Sequence, residues 1–268
     1  FVIYGVVSGV SVGEMFVSGI IPGIVIGLSL MALSYRIAKK KKYPRAEKNV
    51  AIGHAFKEAW WALMVPVIIL GGIYGGIFTP TEAAVVASVY ALFIGKYVYK
   101  ELDFNTIYDA FKDAALVNGA TTFMIGLSMS FAAFLAMEQV PARICEWMLS
   151  LSSSPAMILL IINILLLTVG CFVDNISSMI ILTPILLPIV TKIGIDPVHF
   201  GLVMTVALAT GFVTPPYGAN LFVASAVSGV NMVRLSKAVG PFILVMISCL
   251  LLFTYIPSIS MSLVLMLR

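Results

Sequence analysis

Apolar stretches close to the length of a bilayer crossing recur along the whole of this chain. The runs from Phe16 to Ser34, Ile77 to Ile94, Ala156 to Val173 and Leu244 to Ile256 approach the ~20 residues with which a helix crosses a hydrocarbon core. Lipid offers no partner to backbone amides and carbonyls, so such runs must close their hydrogen bonds internally, as helices do. Of the 268 residues, 61% are hydrophobic and only 10% charged, and the mean hydropathy is +1.09. That balance is far from a soluble domain's. The expectation is an all-α polytopic membrane protein.

The net charge of +4 hides a strong asymmetry, because eight of the 16 basic residues lie between Arg36 and Lys57. They are Arg36, Lys39, Lys40, Lys41, Lys42, Arg45, Lys48 and Lys57. Placed between apolar runs and poor in interleaved aromatics, they read as a cytoplasmic loop obeying the positive-inside tendency, not as a nucleic-acid surface. Trp60 and Trp61 follow where an interfacial aromatic belt is expected. Cys145, Cys171 and Cys249 are odd in number, widely spaced and set among apolar residues. They read as packing residues and not as a disulfide framework or a metal site.

Val-Ser-Gly-Val occurs at Val7 to Val10 and again at Val227 to Val230. Each copy follows a short apolar segment and precedes a polar turn and then a long apolar stretch containing Pro22 or Pro241. A four-residue match of small residues also arises by chance in membrane helices. As a repeat, it points to a transporter of two halves with the transport site between them. The chain opens at Phe1 in an apolar stretch without an initiating Met, and a repeat reading expects it to begin inside the first copy.

Two polar breaks interrupt the later apolar sequence within about 45 residues. At the first, Asp174-Asn175-Ile176-Ser177-Ser178 divides Ser154 to Val173 from Met179 to Thr191. The two pieces are either two spans or the arms of a re-entrant hairpin. At the second, Thr214-Pro215-Pro216-Tyr217-Gly218-Ala219-Asn220 breaks a helix. The prolines remove amide donors, Gly218 permits unusual angles, and Asn220 can cap the next piece. Unwound backbone at membrane depth persists where it lines a cavity, and there it can meet ions. Asp174, Asn175, Ser177, Ser178, Thr210, Thr214 and Asn220 are hard oxygen or amide donors, which suit Na⁺ better than a transition metal. Read structurally, Asp174 is a helix cap, the prolines are a kink, and the serines bond back to the preceding turn.

Glu82 stands in Thr79-Pro80-Thr81-Glu82, the spacing of a capping box with Pro at the first helical position, so Thr79, Pro80 and Glu82 are read as structural. Gly71, Gly72, Gly75 and Gly76 before them fit a tight turn between helices. No G-x-x-x-x-G-K-[ST] loop is present, Asp174 has no evident second carboxylate, and His54 and His199, read as lying in polar or turn contexts, form no metal pair. ATP hydrolysis, aspartyl proteolysis and metal catalysis are all disfavoured. The reading is therefore not an enzyme. Its alternatives are a secondary transporter and an ion-conducting channel or proton-coupled transporter.

The segments Gly71 to Ala87 (GGIYGGIFTPTEAAVVA), Gly170 to Ile189 (GCFVDNISSMIILTPILLPI) and Thr210 to Ser225 (TGFVTPPYGANLFVAS) resemble the large membrane subunit of tripartite ATP-independent periplasmic transporters, and the likeness runs the length of the chain. It implies an inverted-repeat, ion-transporter-type fold with a re-entrant hairpin and a discontinuous helix in each repeat, working as an elevator. Residues 1–35 would end the first repeat, 36–58 form the basic cytoplasmic loop, 59–151 supply scaffold helices, 152–230 the transport region and 231–268 the C-terminal transmembrane helix. Family members are longer, so the first hairpin and half of the first site are expected to be absent.

By position, the resemblance assigns sodium and substrate binding to Gly170, Asp174, Asn175, Ser177, Ser178, Thr210, Gly211, Thr214, Pro215, Gly218 and Asn220, with Na⁺ at Asn175, Ser177, Thr214 and Asn220. It implies Na⁺ as coupling ion, no organic cofactor and a small carboxylate such as a dicarboxylate or sialic acid as cargo. The partners implied are a small membrane (Q) subunit and a soluble periplasmic substrate-binding protein, in the bacterial inner membrane.

Overall fold

A computed structural model describes residues 1–42, 52–151 and 154–268. In chain order the helices are α1 (Val2–Ser8), α2 (Val12–Ser18), α3 (Ile20–Lys41), α4 (Ile52–Tyr74), α5 (Pro80–Phe93), α6 (Phe104–Met137), α7 (Val140–Leu151), α8 (Pro155–Phe172), α9 (Asn175–Lys192), α10 (Pro197–Gly211), α11 (Ala219–Ser228), α12 (Met232–Tyr255) and α13 (Ser258–Leu267). A π-helical turn, Ile94–Val98, extends α5. Among the described residues there is no strand. Seven stretches there are long and apolar enough to cross a membrane, among them Val12–Lys41, Phe104–Met137 and Met232–Tyr255. The protein is a multi-pass, all-helical membrane protein.

The chain forms two compact units, Phe1–Lys40 with Met124–Arg268, and Lys41–Phe123. In the latter, α4 and α5 make a hairpin whose turn takes Gly76 to φ 66°. Thr79 caps α5 by accepting from the Glu82 amide, and the Glu82 carboxylate accepts in turn from the Thr79 amide at 2.8 Å. The capping box read from spacing is therefore present. Tyr90 and Tyr99 lock the pair further, donating to the Trp61 and Glu58 carbonyls.

In the other unit α10 is the central helix. Twelve of its fifteen residues are buried, which fits a helix apolar all round. It packs against α1, α2, α8, α9, α12 and α13. Tyr4 of α1 lies at 0% exposure, stacks edgewise on Phe200 and donates to the Pro197 carbonyl at 2.7 Å. Two polar contacts inside this core join different helices: Asn163 donates to Thr254 at 2.9 Å, and His199 meets Ser260 at 2.7 Å. His199 is thus a core residue at 1% exposure, not the polar or turn histidine that its neighbours Asp196 and Pro197 suggest. Cys145 and Cys249 are buried, Cys171 is half-buried, and all three are free.

The repeated tetrapeptide has one geometry at both sites. Gly9 and Gly229 each take the left-handed conformation, φ 74° and 68°, where any other residue is strained. Ser8 and Ser228 donate back to the carbonyls of Tyr4 and Ala224, and accept from the amides of Val10 and Val230. Ser11 and Asn231 then cap α2 and α12. The same sequence builds the same helix–turn–helix corner twice.

The basic run differs from the expected loop. Arg36, Lys39, Lys40 and Lys41 continue α3 to its end, and Lys57 lies in α4. Lys and Arg are good helix formers, and cations are favoured at a helix C-terminus. Arg45 and Lys48 lie outside the described residues.

Candidate functional site

The first break is a sharp corner. Helix α8 stops at Val173, whose φ −117° and ψ 144° are extended backbone. Asp174 caps α9, its Oδ2 accepting from the amides of Ile176 and Ser177 at 3.0 and 3.3 Å, while its carbonyl accepts from Ser178. The sequence pattern suggests a five-residue interruption. In the structure only Val173 and Asp174 leave the helix, because the Asp174 carboxylate supplies the acceptor that lets Asn175 to Ser178 form the first turn of α9. Asp174 therefore has the structural role of a cap, and its charge sits on the positive end of the α9 dipole.

Two oxygens of that turn are left over. Asn175 Oδ1 and Ser178 Oγ are both buried without a hydrogen-bond partner. Three residues apart, they lie on neighbouring positions of one helix face. Ser178 is 1% exposed and Ser177 8%. Buried polar atoms are nearly always satisfied, and this pair shares its state with Asn163 Oδ1 and His199 Nε2 elsewhere in the same unit.

The second break is longer. After Gly211 the chain tightens, with Val213 and Thr214 donating to the carbonyls of Thr210 and Gly211. The Pro215–Pro216 bond is cis, and Gly218 opens α11 without a side-chain cap. Asn220 does not cap. It lies exposed in the first turn of α11, with its amide donating to the Phe212 carbonyl at 3.3 Å. The loop is closed by backbone bonds, which leaves the Asn220 side chain no capping role. Thr210 and Thr214 turn their hydroxyls back onto the carbonyls of Val206 and Thr210, each at 2.7 Å.

The two breaks come together through glycine. A Cβ placed on Gly211 would stand 2.7 Å from the Leu167 carbonyl oxygen and 2.8 Å from the Gly170 Cα, and one on Gly170 would stand 2.8 Å from the Leu208 carbonyl oxygen. The backbones of α8 and α10 touch there, and only glycine fits at both positions. Beyond that crossing, the Phe172 and Tyr217 rings meet at 5.2 Å between centroids. Gly170, Gly211 and the residues flanking each break thus converge. Among the described residues, no hydrogen bond joins the Asp174–Ser178 turn to Thr210, Thr214 or Asn220. The sequence shows an aromatic residue beside each break, Phe172 and Tyr217, but not that they meet, nor that the Leu167 and Leu208 carbonyls line the crossing. No cluster of His, Cys, Asp or Glu able to hold a metal occurs among the described residues.

Comparison with known proteins bears directly on this arrangement. Residues 1–259 match the family described as tripartite ATP-independent periplasmic transporter, DctM component. Over 264 residues the chain is 49% identical to the isethionate TRAP transporter permease protein DctMQ of Oleidesulfovibrio alaskensis, covering 97% of this chain and 42% of that one. It is 38% identical to the sialic acid TRAP transporter permease protein SiaT of Haemophilus influenzae, covering 96% and 42%. To the C4-dicarboxylate TRAP transporter large permease protein DctM of Pseudomonas aeruginosa it is 40% identical, covering 98% and 62%. The chain spans between 42% and 62% of the length of these relatives.

Proposed function

The chain belongs to the DctM-component family of tripartite ATP-independent periplasmic transporters, and from that premise we propose that it forms the transport part of a sodium-driven importer of a small organic anion in the bacterial inner membrane. The observation that carries the reading is the pair of breaks held together at Gly170 and Gly211, with Asn175 Oδ1 and Ser178 Oγ unpartnered in the adjoining turn. Two hard, neutral oxygens suit an alkali cation and would be poor ligands for a soft metal. Sodium would sit against Asn175, Ser178 and Ser177, with Thr214 and Asn220 contributing from the second break.

The two helix ends support a division of labour. Asp174 already satisfies the start of α9, whereas the start of α11 carries neither a side-chain cap nor an acidic residue. It is the end better able to favour the cargo's anionic group. The cargo is a carboxylate or a sulfonate, the anion classes of dicarboxylates, sialic acid and isethionate, after which the relatives are named. Inverted repeats moving as an elevator, a small membrane subunit and a periplasmic binding protein complete the proposal, and the twin corners at Gly9 and Gly229 support the repeat. The test is uptake of labelled isethionate, sialic acid and succinate by the full-length chain reconstituted with its partners. Accumulation of one anion driven by an inward Na⁺ gradient, and absent with K⁺, is expected. Anion flux indifferent to the cation gradient would sink the sodium reading.

A further inference from the structure

We propose that the outward face of α3 binds an anionic phospholipid, its acyl chain lying along Ile24, Leu28 and Met31 and its headgroup phosphate meeting Tyr35 and Lys39. The spacing of these five residues, four, three, four and four, keeps them on one side of a helix that turns 100° per residue. The four apolar or aromatic members are 56%, 60%, 68% and 69% exposed in chain order, a continuous uncovered stripe on an apolar span. From Ile24 to Tyr35 is about 16 Å along the axis, close to half of a ~30 Å hydrocarbon core. Tyr35 then falls at the interface, where an amphipathic ring is favoured, and Lys39 lies about 6 Å beyond it, at headgroup depth.

Charge complementarity selects the occupant. Arg36 and Lys40 flank Lys39 and are exposed with it. Ion pairs among the described residues include His54 with Glu58 and Arg268 with Glu14 and Asp196, and none of these engages Arg36, Lys39 or Lys40. Among the described residues, Arg36, Lys39 and Lys40 have no carboxylate partner, and they stand at the end of the apolar stripe. A basic cluster directly beyond a membrane span attracts acidic lipid, each cation adding about fivefold in affinity. A zwitterionic lipid would fill the stripe equally well but would leave the cations uncompensated.

The test uses the full-length transporter in detergent, titrated with phosphatidylglycerol or phosphatidylcholine and followed by native mass spectrometry and thermal midpoint. Phosphatidylglycerol is expected to be retained at tenfold or more lower concentration than phosphatidylcholine at about 50 mM salt, with the gap narrowing at about 500 mM. Lys39→Gln should weaken phosphatidylglycerol about fivefold, and the R36Q/K39Q/K40Q variant should abolish the preference. Leu28→Asn should weaken both lipids alike, and glycerol phosphate, which lacks the acyl chain, should change nothing. Equal retention of the two lipids by the unaltered protein would overturn the proposal, as would an unchanged preference in the triple variant. Should the triple variant fail to insert, Lys39→Gln decides alone, since it leaves the rest of the basic run in place. A stripe covered by protein in the full-length chain would show as no retained lipid of either kind, which equally overturns it.

Discussion

Asn175 and Ser178 each keep a buried side-chain oxygen without a hydrogen-bond partner. Asn163, which shares that state at Oδ1, is at least anchored through its amide nitrogen to Thr254. Removing a cation ligand costs little when the cation is absent and much when it is present, so salt dependence isolates the role. NaCl is expected to raise the thermal midpoint of the full-length protein above that in KCl of equal ionic strength. The gain approaches ~2.7 kcal/mol at a hundred times the dissociation constant. Asn175→Ala and Ser178→Ala should abolish it. Asn220→Ala should weaken it while leaving stability in KCl within about 0.5 kcal/mol, because the side chain is exposed and caps nothing. Coincident curves in both salts for the unaltered protein would remove the sodium site.

At the scale of elements, the decisive contact is α8 against α10. A helix crossing with backbone in contact leaves no depth for a methyl group, and the atoms that would be struck at Gly211 are the Leu167 carbonyl and the Gly170 backbone. Neither can rotate away as a side chain would. Gly211→Ala is therefore expected to destabilise by about 1–3 kcal/mol and to move the two breaks apart. Loss of anion uptake larger than the loss of folded protein, measured on the same preparation, would show that the crossing positions the site. Retention of both would mean that the crossing relaxes without consequence. The glycines were visible in the two motifs, yet nothing in either segment says which glycine faces which. That pairing exists only once α8 and α10 cross.

On the scale of the whole molecule, residues far apart in the chain close one end of the larger unit. Arg268 donates to Glu14 at 2.7 and 3.2 Å and to Asp196 at 3.0 Å, and Asp196 itself caps α10 through the Val198 amide. The two carboxylates hold the Arg268 guanidinium more firmly protonated than usual. The pairs are 31–41% exposed, so solvent screening limits them to about 1 kcal/mol. Arg268→Gln should lower the thermal midpoint at low salt by that modest amount and leave it unchanged near 1 M salt. A loss that persists at high salt would assign Arg268 a packing role instead.

How far the sequence reaches can be judged from particular residues. Membrane residence, the Thr79–Glu82 cap, the Pro215–Pro216 break and the twin Val-Ser-Gly-Val corners were all legible. Each rests on interactions within one turn or on the length of an apolar run, and such signals are local. The sequence overstates the reach of the Asp174 break because a cap and an interruption share one polar pattern, and only backbone angles separate them. The burial of His199 is invisible locally because burial is a property of neighbours, here Ser260 and Thr254, which lie more than fifty residues away in sequence. The sequence by itself determined that this chain is a bundle of membrane helices with two polar breaks, since hydrophobic length and turn chemistry act locally. Only the tertiary structure decided that Gly170 meets Gly211 and that Asn175 and Ser178 are left unpartnered, since both follow from how distant helices exclude one another's atoms.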